Sequence, residues 1–204
     1  VFPSGMHQSH HPMARRCHMM KQENSSMVCH IASIKKNTKK RQPKNSWKNL
    51  MQAKKTKADL QDKDLLRYNR NIVLPEIDIN GQLKLSNAKV VIVGLGGIGC
   101  PAATYLASSG VGNLCLIDFD TVSLSNLNRQ VLYSEDDIST MKVEAAKKNL
   151  QSLNSEITIS TVSKKIDSNF EGNLFKDFDF IVDCTDNFDT RSMINKISLL
   201  NKIP

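Results

Sequence analysis

Lys89-Val-Val-Ile-Val-Gly-Leu-Gly-Gly-Ile-Gly99 decides the fold. Residues 89–93 are short and, after Lys89, apolar and β-branched, and glycines close them, the pattern of a strand buried on both faces. The chain then reads as a helix over Gly97–Ser109. Pro101 falls in its first turn, where a missing N–H costs little, and Gly110 supplies a left-handed stop. A strand turning through Gly94, Gly96, Gly97 and Gly99 into a helix is suited to phosphate. Glycines let the backbone approach the phosphate closely, and the helix start offers free N–H groups and the positive end of its dipole. A lone G-x-G-x-x-G also occurs in turns that bind nothing; the strand and helix flanking this one favour a nucleotide.

Working outward, Leu114–Ile117 reads as a second strand, Ile157–Val162 as a third and Phe178–Asp183 as a fourth, buried one. Met141–Leu153 is an amphipathic helix with Val143, Ala146, Leu150 and Leu153 on one face. Phe188–Leu200 is a further helix, and Ala58–Asn69 a charged helical lead-in. Strands alternating with helices predict an α/β fold: a Rossmann-like, mostly parallel sheet with helices on both faces. Lys202-Ile203-Pro204 reads as the approach to another strand, so the sheet is expected to be incomplete at the C-terminus. Residues 90–117 carry no charge, but their glycines and Pro101 cut the run into pieces too short to span a bilayer, so no membrane segment is expected.

Charge divides the chain. Residues 1–60 hold 13 Lys and Arg against 2 Asp and Glu, a net of +11; residues 61–204 hold 15 against 18, a net of −3, giving +8 for all 204. All five histidines lie in the first part, at His7, His10, His11, His18 and His30. The remainder therefore has no Ser-His-Asp triad, no histidine base and no histidine metal site of its own. Cys17, Cys29, Cys100, Cys115 and Cys184 form no CxxC and no paired pattern, which suits reduced thiols and a cytoplasmic setting.

Asp118 ends the second strand, where a carboxylate can accept hydrogen bonds from a ribose diol. To this point a nicotinamide- or flavin-binding oxidoreductase fits equally well. Asp118-Phe-Asp120 is followed, however, by Ser125-Asn-Leu-Asn-Arg-Gln130 and then by Lys142 at a helix start. A triphosphate under attack needs cations and amide donors around its phosphates. Arg129 and Lys142 supply cations and Asn126 a neutral donor, although each taken singly also reads as an ordinary turn or solvated residue. Asp183-Cys-Thr-Asp-Asn187 closes the fourth strand, and Asp186 can hold Mg²⁺ against phosphate oxygens or simply cap the next helix.

Arg67-Tyr-Asn-Arg70, Gly81-Gln82, Gly94–Gly99, Asp118–Asp120, Ser125–Gln130, Lys142 and Asp183–Asn187 occur in that order. Together they resemble the ThiF/MoeB/HesA superfamily, relatives of the ubiquitin-activating enzymes, over about residues 60–204. Within it the run from Gly94 to Gln130 is similar to the adenylyltransferases of molybdopterin synthase, with the thiamine-pathway branch a near second. The resemblance implies ATP- and Mg²⁺-dependent adenylation of the C-terminal Gly-Gly carboxylate of a small ubiquitin-like sulfur carrier, with release of pyrophosphate. It places nucleotide contacts at Gly97 and the neighbouring glycines, and at Asp118, Asp120, Ser125, Asn126, Arg129, Gln130, Lys142 and Asn187, with the metal at Asp186. It implies that Arg70 reaches a partner's ATP in a homodimer, so the catalytic set is Arg70, Arg129, Lys142 and Asp186. A non-catalytic module of the same fold is the remaining alternative.

Members of that superfamily also carry a paired-CxxC site for Zn²⁺ and a loop used in sulfur chemistry; these 204 residues contain no CxxC. The expected reading is therefore the N-terminal part of such a domain over 58–204, unable by itself to form a carrier adenylate. Residues 1–57 match nothing in the superfamily and read as a disordered extension or as translated sequence ahead of the true start. Their charge admits non-specific phosphate contacts, but Phe2 and Trp47 are poor provision for base stacking, so a nucleic-acid partner is not expected. Cys17-His18 and Cys29-His30 fit no standard metal spacing. Deleting residues 1–57 is expected to leave the melting temperature unchanged by scanning calorimetry; a large fall would mean that the segment packs on the domain.

Overall fold

The computed structural model describes residues 58–204 apart from 169 and 171. The readings made for residues 1–57 lie outside the described residues. Three short helices lead in, α1 (Asp62–Arg67), α2 (Asn69–Ile72) and α3 (Asp78–Asn87). There follow β1 (Lys89–Val93), α4 (Gly99–Ser108), β2 (Asn113–Ile117), α5 (Lys142–Leu153), β3 (Thr158–Val162), β4 (Phe180–Asp183) and α6 (Phe188–Asn201). The four strands form one parallel sheet in the order β3-β2-β1-β4.

The side-chain alternation of β1 explains its unbroken apolar run. Val90 and Ile92 face a core built with Ala103 and Ala107 of α4 and Val143, Ala146 and Leu150 of α5. Val91 and Val93 face the opposite core, with Phe175 and with Ile194 and Ile197 of α6. A strand covered on both sides has no solvent face to mark with polar residues. The Rossmann-like α/β architecture expected from the sequence is thus the one observed, and the expected helices and strands fall within a few residues of their predicted bounds.

Three details differ. The fourth strand is not wholly buried: β4 pairs only with β1 along its length, and its residues are half-exposed or exposed. On its free side the Ile181 N–H donates to the Pro204 carbonyl at 2.9 Å, so the chain end begins to lie alongside it. Leu153 is 44% exposed, whereas Leu150 and the C-cap Asn154 beside it are fully buried. Finally, α3 has no counterpart in the predicted elements. It is anchored by Gln82, fully buried, whose amide donates to the Ser109 carbonyl at 2.9 Å and accepts from Asn71 at 3.1 Å. The Gly81-Gln82 pair of the sequence motif therefore serves the packing of the lead-in rather than a ligand.

Between β2 and α5 the chain is pinned by Asp137, only 2% exposed. Its carboxylate accepts from the Ser134 N–H (3.0 Å), the Ser134 hydroxyl (3.1 Å) and the Asn149 amide (3.0 Å), with Lys148 at 3.5 Å. Burial works against the charged form, but these donors outweigh it and hold the Asp137 pKa below the usual carboxylate value. The unfolded chain thus binds this proton more readily than the folded one. The stabilisation is complete above the ordinary carboxylate pKa of about 3.9 and disappears as pH falls through the lower folded value. Asp137→Ala is expected to destabilise the domain by about 2 kcal/mol at pH 7, the loss of a buried charged acceptor. In chemical denaturation the difference from wild type should shrink in strong acid; a constant difference at all pH values would contradict this assignment.

Candidate active site

The carboxyl ends of the four strands surround a cavity of about 460 Å³. β1 stands where the strand order reverses, since the chain leaves it toward β2 and β3 and returns to β4 on its other side. Such crevices are where open α/β sheets bind ligands. Each strand delivers a set of groups to the cavity: Gly94, Gly96 and Gly97 after β1, Asp118–Asp120 after β2, Lys164–Ile166 after β3, and Cys184–Asn187 after β4. Asn126, Arg129, Gln130 and Lys142 close the side formed by the β2–α5 segment.

The four glycines do two different things. Gly94 has φ +88°, and a Cβ there would lie 2.9 Å from the Cys184 carbonyl oxygen; a Cβ on Gly99 would lie 1.9 Å from the Gly94 carbonyl oxygen. These two let β1, β4 and α4 close on one another. Gly96 and Gly97 have room, with the nearest atoms at 3.9 and 3.7 Å from an added Cβ. The protein itself does not require glycine at 96 and 97, whereas a ligand lying against that backbone would.

Asp118 is buried and already engaged. One carboxylate oxygen accepts from the Leu95 N–H at 2.7 Å and the other from the Asp120 N–H at 2.8 Å. Each oxygen keeps a second lone pair, so acceptance from a ribose hydroxyl remains open to it. Lys142, 6% exposed, places its ammonium 2.9 Å from Asp120 Oδ2. Arg129 lies over Gly97 and folds back on its own loop, donating to the Ser125 carbonyl (3.0 Å) and to Asn128 Oδ1 (3.1 Å). Gln130 is 3% exposed and its Oε1 has no hydrogen-bond partner, an orphaned polar atom beside the glycine turn. A buried acceptor left unpaired costs about 1–3 kcal/mol, which a donor on a bound molecule would recover.

The turn after β4 is stiffened from two sides. Asp183 accepts from both the N–H and the hydroxyl of Thr185 (2.9 and 2.7 Å), and Arg191 donates twice to the Thr185 carbonyl (3.1 and 2.6 Å). The helix cap, the alternative role read for Asp186, belongs to Asn187, whose Oδ1 accepts from the Thr190 N–H at 2.8 Å. Asp186 is left exposed at the cavity wall. Among the described residues no group of three or more His, Cys, Asp or Glu is arranged to hold a metal. A cation at Asp186 would therefore draw its other ligands from phosphate oxygens and water, the habit of Mg²⁺, so the donor set fits that ion with a bound nucleotide.

Three of the residues singled out in the sequence are not in the cavity wall. Gly99 packs against the Gly94 carbonyl, the Ser125 hydroxyl pairs with that of Ser123 at 3.0 Å, and Arg70 is an exposed residue of α2. Conversely, Lys164, Lys165 and Arg191 line the cavity and were not singled out. Lys164 and Lys165 follow a parallel strand directly, and that position was the available signal. The three described cysteines are buried, and burial pushes their thiols up in pKa, so they stand protonated at neutral pH.

The fold and the site define a parallel α/β domain with a crevice, at the carboxyl ends of its strands, lined by a glycine turn, carboxylates and cations. The ThiF family matches residues 68–204, and the chain belongs to it. It is 47% identical over 146 residues to the molybdopterin-synthase adenylyltransferase of Haemophilus influenzae, covering 72% of this chain and 60% of that protein. The structure of E. coli tRNA N6-threonylcarbamoyladenosine dehydratase, TcdA, in complex with ATP is similar with a TM-score of 0.65 at 25% identity, over 71% of this chain and 59% of that one. E. coli MccB with AMPCPP and MccA is similar with a TM-score of 0.55 at 41% identity, over 60% of this chain and 37% of that one. The chain thus spans about 60% of the length of that molybdopterin-synthase relative.

Gly96→Ala and Gly97→Ala are expected to keep the wild-type melting temperature and to weaken ATP binding at least about tenfold by calorimetric titration, since the added methyl meets ligand and not protein. Equal loss of stability and binding would mean that these glycines serve the turn alone.

Proposed function

We propose that this chain carries the nucleotide half of an ATP-dependent adenylyltransferase that activates the C-terminal glycine carboxylate of a small ubiquitin-like sulfur carrier of the molybdopterin-synthase type. The observation that carries this reading is that Arg129, Lys142 and Asp186 line the same cavity that the glycine turn opens. A dinucleotide-binding oxidoreductase holds its pyrophosphate largely by the glycine turn and has no use for that second cluster. Support comes also from the names of the relatives: an adenylyltransferase by sequence, and structures bound to ATP or AMPCPP by fold.

In this reading the α-phosphate lies against Gly96 and Gly97, and Asp118 accepts from the ribose. A carrier carboxylate oxygen attacks the α-phosphorus, the bond from that phosphorus to the bridging oxygen breaks, and pyrophosphate leaves. The attacking carboxylate is ionised at neutral pH, so no general base is required, in keeping with the absence of histidine from residues 58–204. The work left to the protein is positioning and neutralisation of charge at the phosphates, by Arg129, Lys142 and the α4 N-terminus. Mg²⁺ at Asp186 would supply further neutralisation of the pyrophosphate. Arg70 is proposed to act on a partner's nucleotide in a homodimer and the protein to work in the cytoplasm. No helix of the described residues is long and apolar enough to cross a membrane.

With the carrier supplied to a protein extended to the length of its relatives, ATP–pyrophosphate exchange should depend on the carrier. Asp186→Ala and Arg129→Ala should each lower the exchange rate by about 100-fold or more, the scale of losing one charge partner in a transition state. Exchange that is indifferent to both substitutions would overturn the assignment.

A further inference from the structure

Four residues link the glycine turn to the buried ammonium in an unbroken relay. Leu95, inside the turn, donates its N–H to Asp118; Asp118 accepts from the Asp120 N–H; Asp120 holds Lys142 through its side chain. The Asp120 carbonyl also accepts from the Lys142 N–H at 2.9 Å, so the start of α5 is fixed to the same residue twice. Asp120 faces the cavity, where a free carboxylate would repel phosphate. It is not free: its charge is met by Lys142 at 2.9 Å, on a lysine that is almost fully buried.

We propose that Asp120 is a positioning residue: its carboxylate holds the Lys142 ammonium in place before the nucleotide arrives, so that Lys142 meets the phosphates without first being ordered, and Asp120 itself makes no contact with ATP. A lysine side chain has several rotatable bonds, and an unheld ammonium would have to give up that freedom on binding. An ammonium has three N–H donors, and Asp120 takes one of them. The remaining donors are available to phosphate oxygens, and the Asp120 carboxylate gives the buried ammonium an ion partner at 2.9 Å. The pairing also gives the Asp118-Phe-Asp120 motif a division of labour, the first carboxylate for main-chain architecture and ribose, the second for the cation. This inference rests on the nucleotide reading above.

Asp120→Asn tests it, because the amide keeps the shape and the main-chain hydrogen bonds and removes the charge. The first readout uses the 204-residue chain without nucleotide: acetylation of Lys142 by N-hydroxysuccinimidyl acetate, followed by peptide mass spectrometry. Lys142 should react about tenfold faster in Asp120→Asn, having lost a charge-assisted hydrogen bond, and Asp120→Glu should return it toward wild type. The second readout is calorimetric titration with ATP and with adenosine. Asp120→Asn should bind ATP about tenfold more weakly and adenosine as before, and should add nothing to the loss caused by Lys142→Ala. Unchanged Lys142 reactivity, an equal loss for ATP and adenosine, or tighter ATP binding by Asp120→Asn would each overturn the proposal; the last would make Asp120 a competitor of the phosphates. A wild-type chain that binds no ATP while its Lys142 reactivity responds to Asp120→Asn would instead refute the nucleotide reading on which the proposal stands. If Asp120→Asn melts early, Asp120→Glu alone carries the comparison, with wild-type selectivity for ATP over adenosine expected and its loss contradicting the proposal.

Discussion

The carboxylate of Asp118 is the tie on which the site depends. It is buried at the end of β2, and it accepts from a main-chain N–H of the turn after β1 and from one of the turn after β2. A buried carboxylate is costly unless donors meet it, and two N–H groups at 2.7 and 2.8 Å do so. In return the two turns are locked to each other. The glycine turn cannot drift from the segment that carries Asp120 and, through it, Lys142. The contact of Gly99 with the Gly94 carbonyl does the same between the turn and α4. Pre-organisation of this kind is what charge stabilisation in a transition state requires, because donors already in place need no reorganisation as charge moves.

The sheet makes that arrangement possible. Parallel strands point all their carboxyl ends one way, so four separate segments of sequence meet in one crevice although they lie tens of residues apart. The two apolar cores behind the crevice are built from alternate residues of the same strands, which makes the platform stiff on both faces. Further positive charge lines the crevice from the segments beyond the strands: Arg129 on its loop, Lys164 and Lys165 after β3, Arg191 in the first turn of α6. All four of these cations are exposed, whereas Lys142 is buried and held by Asp120. The difference matters for the nucleotide proposed to bind here, which brings several negative charges.

Much of this was legible in the sequence because the decisive stretch is extreme. An apolar, β-branched run closed by four glycines admits few folds, and Pro101 and Gly110 bound the helix after it. The helix α3 was not legible, since Asn80 and Gly81 sit in its middle and its anchor, Gln82, is a polar residue buried by tertiary contacts. Leu153 was placed in the core by period alone, and period cannot tell which positions of the last turn find a neighbour to pack on. The cap at Asn187 rather than Asp186 turned on one residue of register that both side-chain types would accept. Lys164 and Lys165 carry no motif of their own, and their one signal was their place directly after the third strand, which pairs with β2 and brings them to the cavity. The second duty of Asp118 was invisible for the same reason: its partners are main-chain groups, which carry no sequence signal.

The central claim is that this crevice is made for a nucleoside triphosphate and not for a dinucleotide. Isothermal titration of the 204-residue chain with ATP in the presence of Mg²⁺, and separately with NADH, tests it directly. Saturable ATP binding that weakens with salt, with no heat from NADH, is the result expected of a site built from Arg129, Lys142 and Asp186 around the glycine turn. Tight NADH binding with no response to ATP would contradict the account.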